Sequence, residues 1–463
     1  MKYLFSTNVL RVLVIVLPLF LSSCKKQNSF LDEKPNASLS TITNIVDIQN
    51  LLRNENLFNQ NDPSLGEMMC DDFYLTDDDI AGSFLVPYEQ KIYGYASDLF
   101  TADDQVSDWN FPYQQVYQAN IILDALPKVS GSDDQKNQAK GQALFFRSFA
   151  FYNLLQTFAL PYDSLSSKSD LGIILKLTSD LNDKSGRATV SDSYRQIFSD
   201  LNNALNILPA TTQYNTQPNK IAANALFARI YLAIGKYDSA LYYSNKALST
   251  NSQLFDYNNF LPSDYSLTDN SQYPLQEDIY HTALTSYKSV SFYPTEVDSD
   301  LLKLYDTTDI RSTAFYTNYS DGIRFKGSYE FRQFGLNYDG LATDELYLIR
   351  AECRARLNDV NGGMDDLNTL LKNRYITGTF NSRVALNGQD ALDQILVERR
   401  KELVFRGLRW TDLRRLNKDP KYAVTLKRVI QGHVVTLPAN DPKYALQIPI
   451  TEIQLSSIKQ NAR

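Results

Sequence analysis

The sequence predicts an all-α protein: a scaffold of repeated antiparallel helical hairpins that carries one long irregular, loop-rich insertion with short strands. Three observations predict it. Apolar residues recur at three- and four-residue spacing through most of the chain. Segment 219–250 alternates small and aromatic residues as a repeated hairpin does. Between Phe255 and Gly340 the stripes vanish, and Tyr, Phe, Ser, Asp and Asn dominate. A chain of 463 residues buries a large core, and three Cys in that length exclude a disulfide scaffold. Two His, at His281 and His433, argue against His-based catalysis and His-rich metal sites. A net charge of −7 argues against a general polyanion binder, nucleic acid included.

The first residues set the compartment. Lys2 and Arg11 flank the start of an apolar run, Val12 to Leu21, that is too short to span a bilayer and contains Pro18. It ends in Leu21-Ser22-Ser23-Cys24, which resembles a bacterial lipobox. That motif implies a signal peptide over 1–23, cleavage before Cys24, and lipidation of its thiol; the alternative is an ordinary secretory signal with a chance Cys. Acyl chains would hold the body firmly on a membrane. No later stretch is apolar enough for a second anchor. Residues 24–35 read as a polar tether.

The region 36–254 is helical. Ile42, Ile45, Ile48 and Leu52 predict a first helix over 36–56. Phe111, Val116, Ala119, Ile122 and Leu126 predict one over 109–126, and Ala139, Ala143, Phe146, Ala150, Leu154 and Phe158 one over 138–158, stopped by Pro161. Tyr194, Ile197, Leu201, Ala204 and Leu208 predict a helix over 192–208 that ends at Pro209. In 219–250, Gly235 separates two stripes, and Ala228, Tyr231, Ala240 and Ala247 occupy the packing positions of a tetratricopeptide (TPR) repeat. A weaker copy spans 342–375, with Gly363 at the small position, and a third is split between 138–158 and 192–208. The C-terminal region, 341–463, adds a helix over 391–405, with Gly407 as its C′ residue.

Seven basic residues fall between Arg399 and Arg415. Glu398 and Glu402, four apart, share a helix face, Glu402 reaches Arg406, and Asp412 adds a third acid, so the cluster reads as a structural ion-pair knot rather than a nucleic-acid or anionic-ligand patch. Cys70 and Cys353 read as buried free thiols, and Trp109 and Trp410 as core residues. The run Asp77-Asp78-Asp79 offers oxygen ligands of the kind Ca²⁺ takes, without the spacing and Gly of an EF-hand loop, and solvated loop acids are the plainer reading. No cofactor is otherwise expected.

An ordered set of motifs resembles the SusD/RagB family of nutrient-binding lipoproteins. It comprises the lipobox, Phe30-Leu31-Asp32-x-x-Pro35, Trp109-x3-Tyr113-x2-Val116-x2-Ala119-Asn120, and Arg147-Ser148-Phe149-Ala150-Phe151-Tyr152. Next come Ala228-Arg229-Ile230-Tyr231-Leu232 and Asp344-Glu345-x-Tyr347-Leu348-Ile349-Arg350-Ala351-Glu352. Glu398-Arg399-Arg400-x-Glu402-Leu403, Asp412-Leu413-x-Arg415 and the tail Ile448-Pro449-Ile450 complete it. The resemblance implies a TPR-like scaffold with an irregular ligand-facing part, anchored by lipid on the outer membrane and facing the cell exterior. It implies a lid over a SusC-like TonB-dependent transporter, capturing oligosaccharide or peptide and handing it inward without chemistry.

A sugar offers an apolar CH face to Tyr or Phe and a hydroxyl rim to Asp, Asn, Gln and Arg. Two irregular segments, 71–107 and the insertion 255–340, hold such sets. The candidates are Asp71, Asp72, Tyr74, Tyr93 and Tyr95 in the first, and Tyr265, Tyr287, Phe292, Tyr293, Tyr316, Tyr319 and Arg324 in the second. Two other readings stay open on residues alone. One is a surface hydrolase working through paired carboxylates, although no nucleophile or H-E-x-x-H motif is visible. The other is a TPR adaptor holding protein tails in its groove.

Overall fold

A computed structural model describes residues 42–82, 85–184, 186–259, 276–290, 295–329 and 336–463. The expectations at Cys24, the tether, Tyr265, Phe292 and Tyr293 lie outside the described residues.

The helices begin where side chains can cap them. Helix α1, Ile45–Leu52, starts at Asn44, whose side chain accepts from the Val46 and Asp47 amides while Asp47 returns a bond to the Asn44 backbone. Helix α2 is Ser107–Ala125 and α3 is Asp133–Phe158. A capping box between Ser132 and Gln135 starts α3, so it begins five residues before the apolar stripe that predicted it. Thr189 caps α4, Val190–Ile207, and Asn219 caps α5, Lys220–Ala233. Gly235, at φ +71°, makes the left-handed turn into α6, Tyr237–Leu248.

The second unbroken hairpin is α7, Thr343–Arg356, with α8, Val360–Leu371. A Cβ on Gly363 would stand 3.1 Å from the Ala351 carbonyl oxygen, tighter than ordinary side-chain contact, so glycine suits this close approach of α8 to α7. Helices α3 and α4 pack together as the split hairpin, and between them residues 171–174 pair antiparallel with residues 187–189. Helix α6 packs on α7, and α7 in turn on α9, Gly388–Glu402.

Gly407 has the positive φ expected of a C′ glycine, +69°, yet α9 ends at Glu402. Gly407 instead starts a helix the apolar pattern did not predict, α10, Leu408–Leu416. A final short helix, α11, is Ile450–Ser456.

The strands are short and paired in twos. They are β1, Phe73–Tyr74; β2, Leu171–Ile174; β3, Arg187–Thr189; β4, Asp278–Tyr280; β5, Glu296–Val297; β6, Tyr316–Tyr319; β7, Gly322–Phe325; and β8, Leu341–Ala342. A hairpin not predicted from sequence, β9, Leu426–Ile430, with β10, His433–Leu437, precedes the tail. Pairing of β4 with β8 closes the base of the irregular insertion against the start of α7.

The core is continuous from the first helices into the insertion. Phe58 stacks on Phe146 at 4.1 Å, and Tyr280 packs edge-on against Phe145 and Phe149. Tyr257, Tyr280, Tyr329 and Tyr338 are fully buried, which reassigns much of the insertion's aromatic excess from surface to core. Trp109 and Trp410 are core residues, at 4% and 2% exposure. Trp410 stacks on Tyr444, and its ring lies so close to Gly66 that a Cβ there would clash at 2.6 Å. Cys70 and Cys353 are buried free thiols.

The basic cluster is an ion-pair knot, and it is buried. Arg311 reaches Asp309 at 2.7 Å, Glu398 at 2.6 Å and Glu402 at 2.9 Å. Arg374 joins Glu402 to Glu277, both at 2.7 Å, and lies 4.0 Å from the Tyr257 ring centroid. Asp412 takes Arg399 and Arg415. The expected Glu402–Arg406 contact is not made: Arg406 turns to Asp344 at 2.6 Å, because the chain leaves the helix after Glu402.

Candidate functional site

The two irregular segments meet through their backbones. Phe73 pairs with Val297 and Tyr74 with Glu296, joining β1 to β5, and β5 lies against β7 of the β6–β7 hairpin. A residue near position 74 is thereby set beside residues some 220 positions later. Strand alternation sends Phe73 into the core, against Tyr93 and Phe405, and Tyr74 outward.

Two tyrosine rings stand at this surface, Tyr74 at 44% and Tyr319 at 49% exposure. The Tyr74 hydroxyl donates to the Glu296 carboxylate. That bond pushes the Tyr74 hydroxyl up to about 12, with burial and the Glu296 charge adding to it and Arg324 opposing it. Arg324 donates to Asp321 at 3.0 Å and places its guanidinium 5.5 Å from the Tyr319 ring centroid. Gly322 is where the hairpin turns close to Glu296: its φ is +150°, and a Cβ there would meet the Glu296 carboxylate at 2.7 Å. The surface therefore joins two half-open aromatic faces to a rim of carboxylates, with the buried Arg324 guanidinium ordering that rim from behind.

Asp71 and Asp72 support this surface from beneath. Arg409 binds Asp71 through two nitrogens, at 2.7 and 2.9 Å, and Arg400 donates to Asp72 at 2.9 Å. Burial pushes the Asp71 carboxyl up, but Arg409 and Arg400 outweigh it and hold it well below the usual carboxylate range. Burial, joined by the Asp71 charge, keeps Asp72 above that range despite Arg400.

Four expected ligand tyrosines have no open ring face, Asp72 is fully buried and Arg324 is buried at 7% exposure; these are corrections. Tyr93 is 1% exposed and its hydroxyl accepts from the Leu75 amide at 2.8 Å. Tyr95 accepts from Arg428 at 3.0 Å, and that guanidinium lies 3.6 Å from the Tyr93 centroid. Tyr287 accepts from the Asp108 amide, and the Tyr316 and Tyr305 hydroxyls meet at 2.9 Å. Tyr93 and Tyr287 each take a backbone amide, Tyr95 takes a buried arginine and Tyr316 pairs with a second phenol, so each hydroxyl is satisfied inside and its ring is removed from the surface. Glu296 and Asp321 are the site residues that sequence reasoning missed. Their only signal was their place next to candidate tyrosines, and strand pairing across 222 positions is not a local pattern.

The Asp77–Asp79 run is the first turn of a short helix, in which the Thr76 N-cap accepts from the Asp79 amide, Asp79 accepts from the Thr76 backbone amide, and Asp77 accepts from the Gln431 amide at 2.6 Å. Among the described residues the one close group of metal-ligating types is Glu67, Cys70 and Asp72. Burial drives the Cys70 thiol well up, and Arg400 already occupies Asp72, so that group suits a thiol and an ion pair better than a cation.

Residues 29–232 match a family model described as starch-binding, associating with the outer membrane, and residues 343–462 match the SusD family model. A curated relative, SusD-like protein P2 of Formosa agariphila, is 24% identical over 373 residues, covering 66% of this chain and 71% of that protein. Among solved structures, a SusD superfamily protein from Bacteroides thetaiotaomicron superposes with a TM-score of 0.69 at 23% identity, covering 91% of this chain and 100% of that one. A laminarin-binding SusD-like protein gives 0.61 at 18% identity, covering 90% and 97%. Surface glycan-binding protein A from Bacteroides uniformis gives 0.64 at 15% identity, covering 86% and 92%. No described helix is long and apolar enough to cross a membrane. From the two family models, the helical TPR-like scaffold and these neighbours, the chain belongs to the SusD/RagB family.

Proposed function

We propose that this protein is a lipid-anchored outer-membrane lipoprotein that binds an oligosaccharide and delivers it unchanged to a SusC-like TonB-dependent transporter. The observation that carries the binding half is the surface built by β1, β5, β6 and β7. There Tyr74 and Tyr319 offer half-open rings, Glu296 and Asp321 stand beside them, and the buried Arg324 holds Asp321 in place. That combination matches the apolar face and hydroxyl rim of a sugar. Relatives named for laminarin and for surface glycans support the ligand class. The transporter partner and the surface location are carried over from the family, together with the lipobox at Cys24.

The adaptor reading is weakened because the chain itself occupies its hairpin faces. Arg229 of α5 is buried against Glu345, and it donates to the Asp339 and Gly340 carbonyls at the base of the insertion.

The test is a calorimetric screen of the full lipoprotein in detergent against neutral oligosaccharides and peptides, repeated with Tyr319→Ala. Binding of an oligosaccharide that the substitution weakens about tenfold is expected. Peptide-only binding, or oligosaccharide binding indifferent to Tyr74 and Tyr319, would move the site elsewhere. Affinity purification from outer membranes tests the partner: the copurified band is expected to be a TonB-dependent porin.

A further inference from the structure

A second concavity lies away from that surface. It encloses about 370 Å³ between α2, the loop after β2 and the tail helix α11. Trp109, Tyr113 and Tyr117 follow one another at four-residue steps on α2 and so line one side of it. Ile174 and Leu181 face them, and Glu452 of α11 closes the end.

The walls are held in place. The Tyr113 hydroxyl donates to the Ile174 carbonyl and accepts from the Ile174 amide, both at 3.0 Å. Asn120 donates to the Lys176 and Thr178 carbonyls, each at 3.0 Å, and accepts from Arg147 at 2.8 Å. Arg147 is itself clamped on Asp200 through two bonds. Asp124 caps the same loop at Ser179. A loop fixed to a helix at so many points loses little further freedom when a ligand enters.

Two features make this more than a crevice. The Tyr117 hydroxyl is shielded from solvent and has no hydrogen-bond partner, and a buried hydroxyl left unpaired costs free energy that an incoming polar group recovers. Leu181 stands at the mouth at 77% exposure, an apolar side chain left open to water. Around these sit amides at Asn110 and Gln114 and carboxylates at Asp180 and Glu452. An apolar peptide side chain would leave those polar groups idle. A neutral sugar ring uses both sets, its CH face on the tyrosines and leucine and its hydroxyls on the rim.

We infer that the concavity lined by Trp109, Tyr113 and Tyr117 is a second carbohydrate subsite, sized for a single neutral sugar ring. This deepens the glycan-binding reading and rests on it, but the two fail separately, since different residues and probes report on them. The chain has two Trp, and Trp410 is sealed against Tyr444, so tryptophan fluorescence reports chiefly on Trp109.

The experiment titrates the full lipoprotein in detergent with glucose, galactose, mannose and xylose, and with N-acetyl-leucine amide as the apolar contrast. A saturable fluorescence change with at least one sugar is expected, and none with the amide. Leu181→Arg, at an exposed position that folding does not need, is expected to weaken the sugar response at least tenfold. Tyr117→Phe should weaken it about threefold, and Arg195→Met, at a 76% exposed position outside the lining, should leave it unchanged. Three results overturn the inference: no saturable response to any of the four sugars, a response that Leu181→Arg leaves intact, or saturation by the leucine amide instead.

Discussion

Replacing Arg311 by Met tests whether the knot at the centre of the molecule behaves as a buried charge lattice. Arg311 is fully buried, with its guanidinium shared among Asp309, Glu398 and Glu402. The surrounding cations are Lys401, Arg374 and Arg383, and the fourth carboxylate is Glu277. Methionine retains most of the apolar stem but leaves three cations facing four carboxylates. Removing one partner of a buried pair costs about 3–5 kcal/mol, because the charge left behind has no solvent.

The pH dependence has a definite sign. Burial pushes Asp309 and Glu398 up, and Arg311 with Lys401 outweighs it, so both sit below their ordinary values. Groups lowered in the folded state contribute stability above their unfolded pKa of about 4, and that contribution disappears as pH falls through the folded value. Without Arg311 those carboxylates rise instead and take up protons on mild acidification. The deficit of the variant is therefore largest near pH 7.5 and shrinks toward pH 5. Denaturant unfolding of both proteins at the two pH values measures it, with Arg195→Met, whose side chain is 76% exposed, as a control expected to lose under about 1 kcal/mol. A loss below 1 kcal/mol at pH 7.5, or a loss that does not shrink at pH 5, refutes the reasoning.

Gly363→Val drives a branched side chain into the Ala351 carbonyl, so a stability loss of about 1–3 kcal/mol is expected, read as a lower denaturation midpoint. Phe58→Ala removes a ring stacked at 4.1 Å and is expected to cost about 3–5 kcal/mol in the same assay. Burial raises both the Cys70 and the Cys353 thiol, so a thiol-specific chromogenic reagent should label neither in the native protein at pH 8, and both after unfolding. Cys24→Ala is expected to move the protein from the membrane fraction to the soluble one on cell fractionation.

The helices were legible because their signals are local. The stripe of α4 runs from Tyr194 to Ala204 within one element, and Thr189 with Asp192 marks its start. Where boundaries were missed, an unread cap was the cause, as at Ser132 and Gln135 of α3. Helix α10 escaped because its apolar positions are interleaved with Arg409, Arg414 and Arg415, which are themselves inside the molecule. The ligand surface was only half legible. Tyr74 and Tyr319 are exposed as a platform requires, but Tyr93, Tyr95, Tyr287 and Tyr316 look the same in sequence and are buried. What separates them is which side of a strand faces inward and which arginine or carboxylate lies nearby, and both are set by residues hundreds of positions away.

The pairing of β4 with β8 and the grip of Arg374 on Glu277 bind the two roots of the insertion to α7 and to the segment after α8. Mechanically this is a socket. Beyond it the insertion is still part of the frame, since Arg311 binds Glu398 and Glu402 of α9 and Phe325 stacks on Phe405; the exposed β6–β7 turn, with Tyr319 and Asp321, is the part whose residues can be exchanged without touching those contacts. A graft confined to the turn between Tyr316 and Phe325 would keep both the socket and the Arg311 lattice, so recognition can be re-engineered as a cartridge on an unaltered frame.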